Sequence, residues 1–114
     1  IWRRLVIRRL ADAVRSMHLA GFVRTDLKWR NILVEMTDDP KVFLIDCPQG
    51  RLMFGPFLRR GMIKDLACLD KVAKRVLSKT QRLRFYLAYT GKTRLAIDDR
   101  DRIEKVLDFF SGRD

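Results

Sequence analysis

Asp26 and Asn31 stand five residues apart with Lys28 between them, and Asp46 closes a later apolar run, Phe43-Leu44-Ile45-Asp46. Two carboxylates, an amide and an ammonium brought to one point suit a metal-bound phosphate. Asp26 would accept or orient the proton of an attacking hydroxyl, and Lys28 would neutralise charge on the phosphoryl group in transfer. Asn31 and Asp46 offer hard oxygen ligands, of which Mg²⁺ takes few from a protein, leaving its other positions to phosphate and water. Taken without the others, Asp26 and Asn31 are equally well explained as an Asx-rich turn. Lys28 and Asp46 in register favour chemistry.

Those residues meet only if a helix delivers the first of them and a hairpin carries the rest. Trp2, Leu5, Val6, Leu10, Ala13, Val14 and Met17 recur at helical spacing, with Arg3, Arg4, Arg8 and Arg15 off that stripe. The spacing predicts an amphipathic helix of about five turns, ended near Gly21. Ile32-Leu33-Val34 and Val42-Phe43-Leu44-Ile45 are short β-prone runs around Thr37-Asp38-Asp39-Pro40, the grammar of a hairpin. Pro48, Gly50, Gly55 and Pro56 predict a loop out to about Arg60. From Gly61 onward, Ile63, Leu66, Ala67, Leu69, Val72, Ala73, Val76 and Leu77 predict a second long helix. Ser78-Lys79-Thr80-Gln81 has the form of a capping box, so a third helix should start there and run to about Tyr89, closed by Gly91. Asp98, Asp99 and Asp101 precede Ile103, Val106, Leu107 and Phe110, which predicts a fourth helix with its acids in the turn the dipole favours. Trp2, Phe43 and Phe110 are expected in the core, and His18, the sole histidine, in a packing or hydrogen-bonding role. The expectation is one mostly helical α+β domain over residues 1–114, with the hairpin carrying the site.

Lys and Arg number 25 against 14 Asp and Glu, a formal net charge of +11, while 47% of the 114 residues are hydrophobic. That is enough apolar material for a core, which excludes wholesale disorder. No apolar run exceeds five residues (Phe85–Tyr89), against the roughly 20 that span a bilayer. Cys47 and Cys68 show neither CxxC spacing nor a histidine partner set, so neither zinc nor a disulfide framework is indicated and a reducing cytoplasm is expected. Positive charge concentrates in residues 1–30 (eight basic, two acidic) and 59–84 (nine basic, two acidic). Solvated helix faces would explain this; so would attraction to an anionic membrane surface. No nucleic-acid partner is expected, since no aromatics interleave as stacking platforms and no recognition motif accompanies the charge.

The stretch from Met17 to Asp46 resembles the protein-kinase-like catalytic loop: a helix ending in Leu-His-x-x-Gly, then His-x-Asp-Leu-Lys-x-x-Asn, two apolar residues, and a strand ending in the metal-binding Asp. Lys64-Asp65-Leu66-Ala67-Cys68-Leu69-Asp70 and Ser78–Phe85 are similar to the lipopolysaccharide kinase family, the Kdo and core-heptose kinases of Gram-negative bacteria. The resemblance implies the C-terminal lobe of a kinase-like fold. It implies Asp26 as catalytic carboxylate, Lys28 as a phosphate contact, Asn31 and Asp46 as metal ligands, and Asp65 as a helix-start carboxylate bracing the loop from beneath. It further implies ATP and Mg²⁺, and transfer of the γ-phosphate to a sugar hydroxyl of the lipopolysaccharide inner core, in the cytoplasm and peripheral at the inner membrane. Arg24 stands where a His usually precedes the x-Asp, and Cys47-Pro48 replaces Phe-Gly, which argues against the usual activation-loop switch. The 114 residues hold neither a Gly-rich phosphate loop nor a Val-Ala-x-Lys strand, and Ile1 already lies in a helical pattern. An N-terminal nucleotide-clamping lobe is therefore expected elsewhere, and these residues by themselves are expected to be catalytically silent. Two other functions stay open: a kinase-like enzyme with a protein or small-molecule acceptor, and a noncatalytic basic binding module with a vestigial motif.

Overall fold

The computed structural model describes residues 2–24, 27, 29–45 and 51–109. Asp26, Lys28, Asp46, Cys47-Pro48 and Phe110 lie outside the described residues. In chain order the elements are α1 (Trp2–Leu19), β1 (Phe22–Val23), a 3-10 turn (Trp29–Asn31), β2 (Ile32–Val34), β3 (Val42–Leu44), β4 (Arg51–Leu52), α2 (Gly55–Val76), α3 (Lys79–Thr90) and α4 (Ile97–Asp108). The fold is α+β and mostly helical.

α1 buries Ile7, Leu10, Ala11, Val14 and His18, a stripe at i, i+3, i+4, i+7 and i+11. Leu5, Val6, Ala13 and Met17 flank it half-buried. Trp2, expected in the core, sits at the rim, where its indole N–H donates to the Thr37 carbonyl at 2.8 Å. The helix packs on α3, and α2 packs on α4. Leu10, Ala11, Val14, Leu27, Leu66, Leu69 and Tyr89 form the core cluster.

The hairpin forms as the apolar runs predict, with Ile32 opposite Leu44, Leu33 opposite Phe43 and Val34 opposite Val42. Phe43 corrects a second expectation. Alternation along a strand sends it with Leu33 to the outer face, where both are about half exposed, while Ile32, Val42 and Leu44 turn to the core.

α2 starts at Gly55, six residues before the predicted Gly61, because Pro56 occupies the first turn. Proline is at home there, where its missing N–H is one the helix leaves unpaired anyway and its φ is already helical. Reading Gly55-Pro56 as loop therefore placed the boundary too late. Val72 and Val76, taken as core positions, face outward.

β1 and β4 pair antiparallel, Phe22 with Leu52 and Val23 with Arg51, in a two-residue ladder too short for sequence periodicity to reveal. Gly61 lets α2 approach it. A Cβ at that position would meet Val23 Cγ2 at 2.8 Å and Cγ1 at 3.0 Å. Gly61→Ala is accordingly expected to destabilise by about 1–3 kcal/mol through overpacking, against the roughly 1 kcal/mol that alanine gains in helix propensity. A thermal midpoint equal to or above that of the parent would show Val23 yielding freely.

α3 carries the predicted capping box, with Gln81 N–H donating to Ser78 Oγ at 3.1 Å and Ser78 N–H to Gln81 Oε1 at 3.0 Å, and it ends on Gly91 at φ +73°. At α4 the Asp99 carboxylate is almost wholly buried. It accepts from the Ala96 N–H at 2.8 Å, the Tyr86 hydroxyl at 2.8 Å and Lys92 Nζ at 3.0 Å. Those three donors, the backbone one foremost, hold it down to about 2 from 3.8. Tyr86 is pushed up to about 12, chiefly by burial and then by its bond to Asp99. Because the folded carboxylate binds protons more weakly than the unfolded one, its contribution is complete above pH 4 and is lost as pH falls toward about 2. Asp99→Asn should be less stable at neutral pH and lose less between pH 4 and 2; parallel stability profiles for the two proteins would remove Asp99 from that role.

Candidate active site

α1 delivers His18 to the buried side because it lies eleven, seven and four residues past Ile7, Ala11 and Val14, on the same face. His18 Nε2 donates to Asp65 Oδ2 at 2.9 Å, and Nδ1 is hydrogen-bonded to the Tyr89 hydroxyl at 2.5 Å. The two rings meet edge to face, centroids 5.5 Å apart. Burial raises Tyr89 well above the usual phenol range, so its hydroxyl keeps the proton that this bond uses.

Asp65 is fully buried and lies in the middle of α2, ten residues beyond Gly55. That corrects its expected place at a helix start and removes dipole complementarity as its reason for being there. The same Oδ2 that receives His18 also accepts the Arg24 backbone N–H at 3.0 Å. Oδ1 has no hydrogen-bond partner among the described residues.

The loop that follows β1 is held at four further points. Arg24 is buried, not a solvated loop residue, and its guanidinium donates to the Ile45 carbonyl. Leu27 is fully buried in the core cluster. Trp29 Nε1–H donates to the Leu69 carbonyl at 3.0 Å, tying the 3-10 turn to α2. Ile45 N–H donates to the Asn31 carbonyl at 2.8 Å, one step beyond the Ile32–Leu44 pair. These attachments run to the helical core and to the hairpin.

Of the five candidate site residues, Asp26, Lys28, Asn31, Asp46 and Asp65, two lie among the described residues. Asn31 is half-buried at the mouth of the hairpin, directly across from Ile45, whose successor in the chain is Asp46. Asp65 lies beneath the start of the loop. Asp26 and Lys28 fall between held neighbours in the chain, Arg24 and Leu27 for the first, Leu27 and Trp29 for the second. Among the described residues no group of three or more His, Cys, Asp and Glu gathers as a metal site. Of the two expected metal ligands only Asn31 lies among the described residues, and its amide oxygen is a hard donor of the type Mg²⁺ takes.

The anchoring residues Leu27, Trp29 and Tyr89 were not singled out from the sequence for this work. Gly61 signals the close approach of α2 to Val23, but it reads as a glycine inside a helix only once the helix starts at Gly55.

The comparison with family models makes the chain a kinase-type phosphotransferase by family. It belongs to the lipopolysaccharide kinase (Kdo/WaaP) family, whose model matches residues 2–89, from the start of α1 to Tyr89 of α3. No curated protein and no solved structure matches it.

Proposed function

We propose that this chain carries the transfer site of an ATP- and Mg²⁺-dependent kinase acting on a sugar hydroxyl of the lipopolysaccharide inner core, Kdo or heptose, with the fold of a protein-kinase-like C-terminal lobe. The observation that supports it most is the anchoring of residues 24–31: Arg24 to Asp65 beneath the loop and Asn31 to Ile45 across the hairpin. Phosphoryl transfer asks little covalent chemistry of a protein and much positioning. Held neighbours on both sides supply that positioning.

In this reading Asp26 orients the acceptor hydroxyl and takes its proton, while Lys28 offsets charge on the phosphoryl oxygens. Asn31 and Asp46 would hold Mg²⁺, which when bound neutralises charge on the nucleotide phosphates. Arg24 fixes the end of β3 against the loop, so that the chain leading to Asp46 keeps its place relative to Asn31. Asp65 is a positioning residue, joined to the start of the loop through the Arg24 N–H. In the same reading a nucleotide-clamping lobe with its own glycine-rich loop completes the site.

The test is a magnesium titration of the enzyme with ATP and isolated lipopolysaccharide core. Asn31→Ala and Asp46→Ala should each raise the Mg²⁺ needed for half-maximal turnover and lower the plateau. Curves that superimpose on the parent's would remove both residues from metal binding.

A further inference from the structure

We propose that the tip formed by β4 and the first turns of α2 docks on an anionic lipid surface, with Leu52, Phe54 and Phe57 entering the interface and Arg59 and Arg60 meeting lipid phosphates. Leu52 is 64% exposed, Phe54 81% and Phe57 75%. Three large apolar side chains this open within six residues are out of place on a surface bathed only by water. Their flanks are cationic: residues 51–64 contain Arg51, Arg59, Arg60 and Lys64 and no acid.

The cations are also gathered. Arg59, Arg60 and Lys105 line a cleft of about 310 Å³ with Pro56, Ile63 and Phe109. Arg60 is laid over the Phe109 ring, its guanidinium carbon 5.5 Å from the centroid. That contact holds the group at the cleft and leaves its N–H edge for oxygen acceptors. Lys105 shares its charge with Asp101, 3.1 Å away and likewise exposed. Exposed aromatic side chains within two helical turns of clustered arginines along one helix supply what interfacial binding uses, apolar area for the acyl boundary and charge for the headgroups. A second copy of the chain is a poorer occupant, because it would bring the same cations and its own +11 to the contact.

The tip is also tied to the site. Met53 N–H donates to the Gly21 carbonyl at 2.9 Å, and β4 pairs with β1, whose Val23 immediately precedes Arg24. Docking at the tip therefore holds the phosphotransfer loop at the lipid surface. This last consequence rests on the proposed glycolipid acceptor; the docking itself does not.

The experiment uses the full chain and vesicles of phosphatidylcholine alone or of equimolar phosphatidylcholine and phosphatidylglycerol, with no nucleotide or acceptor present. Phe54→Trp reports insertion. Its difference emission against the parent should shift to the blue and lose acrylamide quenching with anionic vesicles only. Phe54→Ser/Phe57→Ser, at positions too exposed to matter for folding, should weaken partitioning about tenfold or more. Arg4→Ser/Arg8→Ser on α1 should leave the emission shift in place. An unshifted spectrum, or a serine double variant that partitions like the parent, overturns the proposal, the latter by showing that charge alone binds. A shift that appears without vesicles and grows with protein concentration also overturns it, in favour of self-association. Phosphotransfer is measured separately, so loss of docking and loss of the kinase reading are seen apart.

Discussion

Asp26→Asn is expected to lower turnover by about 10²–10⁴-fold, the range that a positioned proton acceptor contributes, with the fold and the affinity for ATP little changed. The substitution keeps the shape of the side chain and removes its basicity. The described attachments of the loop run through the Arg24 backbone and guanidinium, Leu27, the Trp29 indole and the Asn31 carbonyl. Loss of activity with an unaltered unfolding curve is therefore the signature of a chemical role. Turnover close to the parent's across the pH range would assign the proton to another group and leave Asp26 as a turn residue.

Asp65→Ala should act in the opposite way, through stability first. The substitution strips a buried acceptor from two buried donors, His18 Nε2–H and the Arg24 N–H. Removing one member of such a buried pair costs about 3–5 kcal/mol, a large share of the 5–15 kcal/mol that holds a typical domain together. Asp65→Asn should lose less, because its carbonyl oxygen can still receive one of the donors while its amide opposes the other. His18→Ala measured alone and together with Asp65→Ala gives the coupling between them, and a sum that merely adds would place the two residues in separate roles. Urea unfolding decides the first point: a loss below about 1 kcal/mol for Asp65→Ala means that the neighbours find other acceptors. Activity at a temperature where the variant remains folded then reads positioning, since a loop released from beneath should raise KM and lower kcat together.

The contrast between these two residues follows how each could be found. Asp26 stands out as a candidate because Lys28 follows two residues on and Asn31 five, and spacing along one loop is a local property. The Ser78–Gln81 box and the Ile32–Val34 and Val42–Leu44 runs are legible for the same reason, and the structure forms each of them. Asp65 was expected beneath the loop by resemblance but at a helix start, and the helix begins ten residues earlier at Gly55-Pro56. Trp2 and Phe43 were misplaced because hydrophobicity by itself ranks them as core, whereas burial depends on which face the neighbouring elements leave open.

Short-range signals thus determined the helices of this protein, its hairpin, the polar loop between them and the family to which the chain belongs. Periodicity, caps and motif spacing act over a few residues, and each is written in adjacent side chains. Only the tertiary structure decided that Asp65 reaches Arg24 across 41 positions, that His18 meets Tyr89 across 71, and that β4 returns to pair with β1. Such contacts are made by packing, where a buried carboxylate must find whatever donors the folded chain brings to it. No pattern in the neighbouring residues can specify a partner that distant, because its position is set by the sum of all the helix and strand contacts between them.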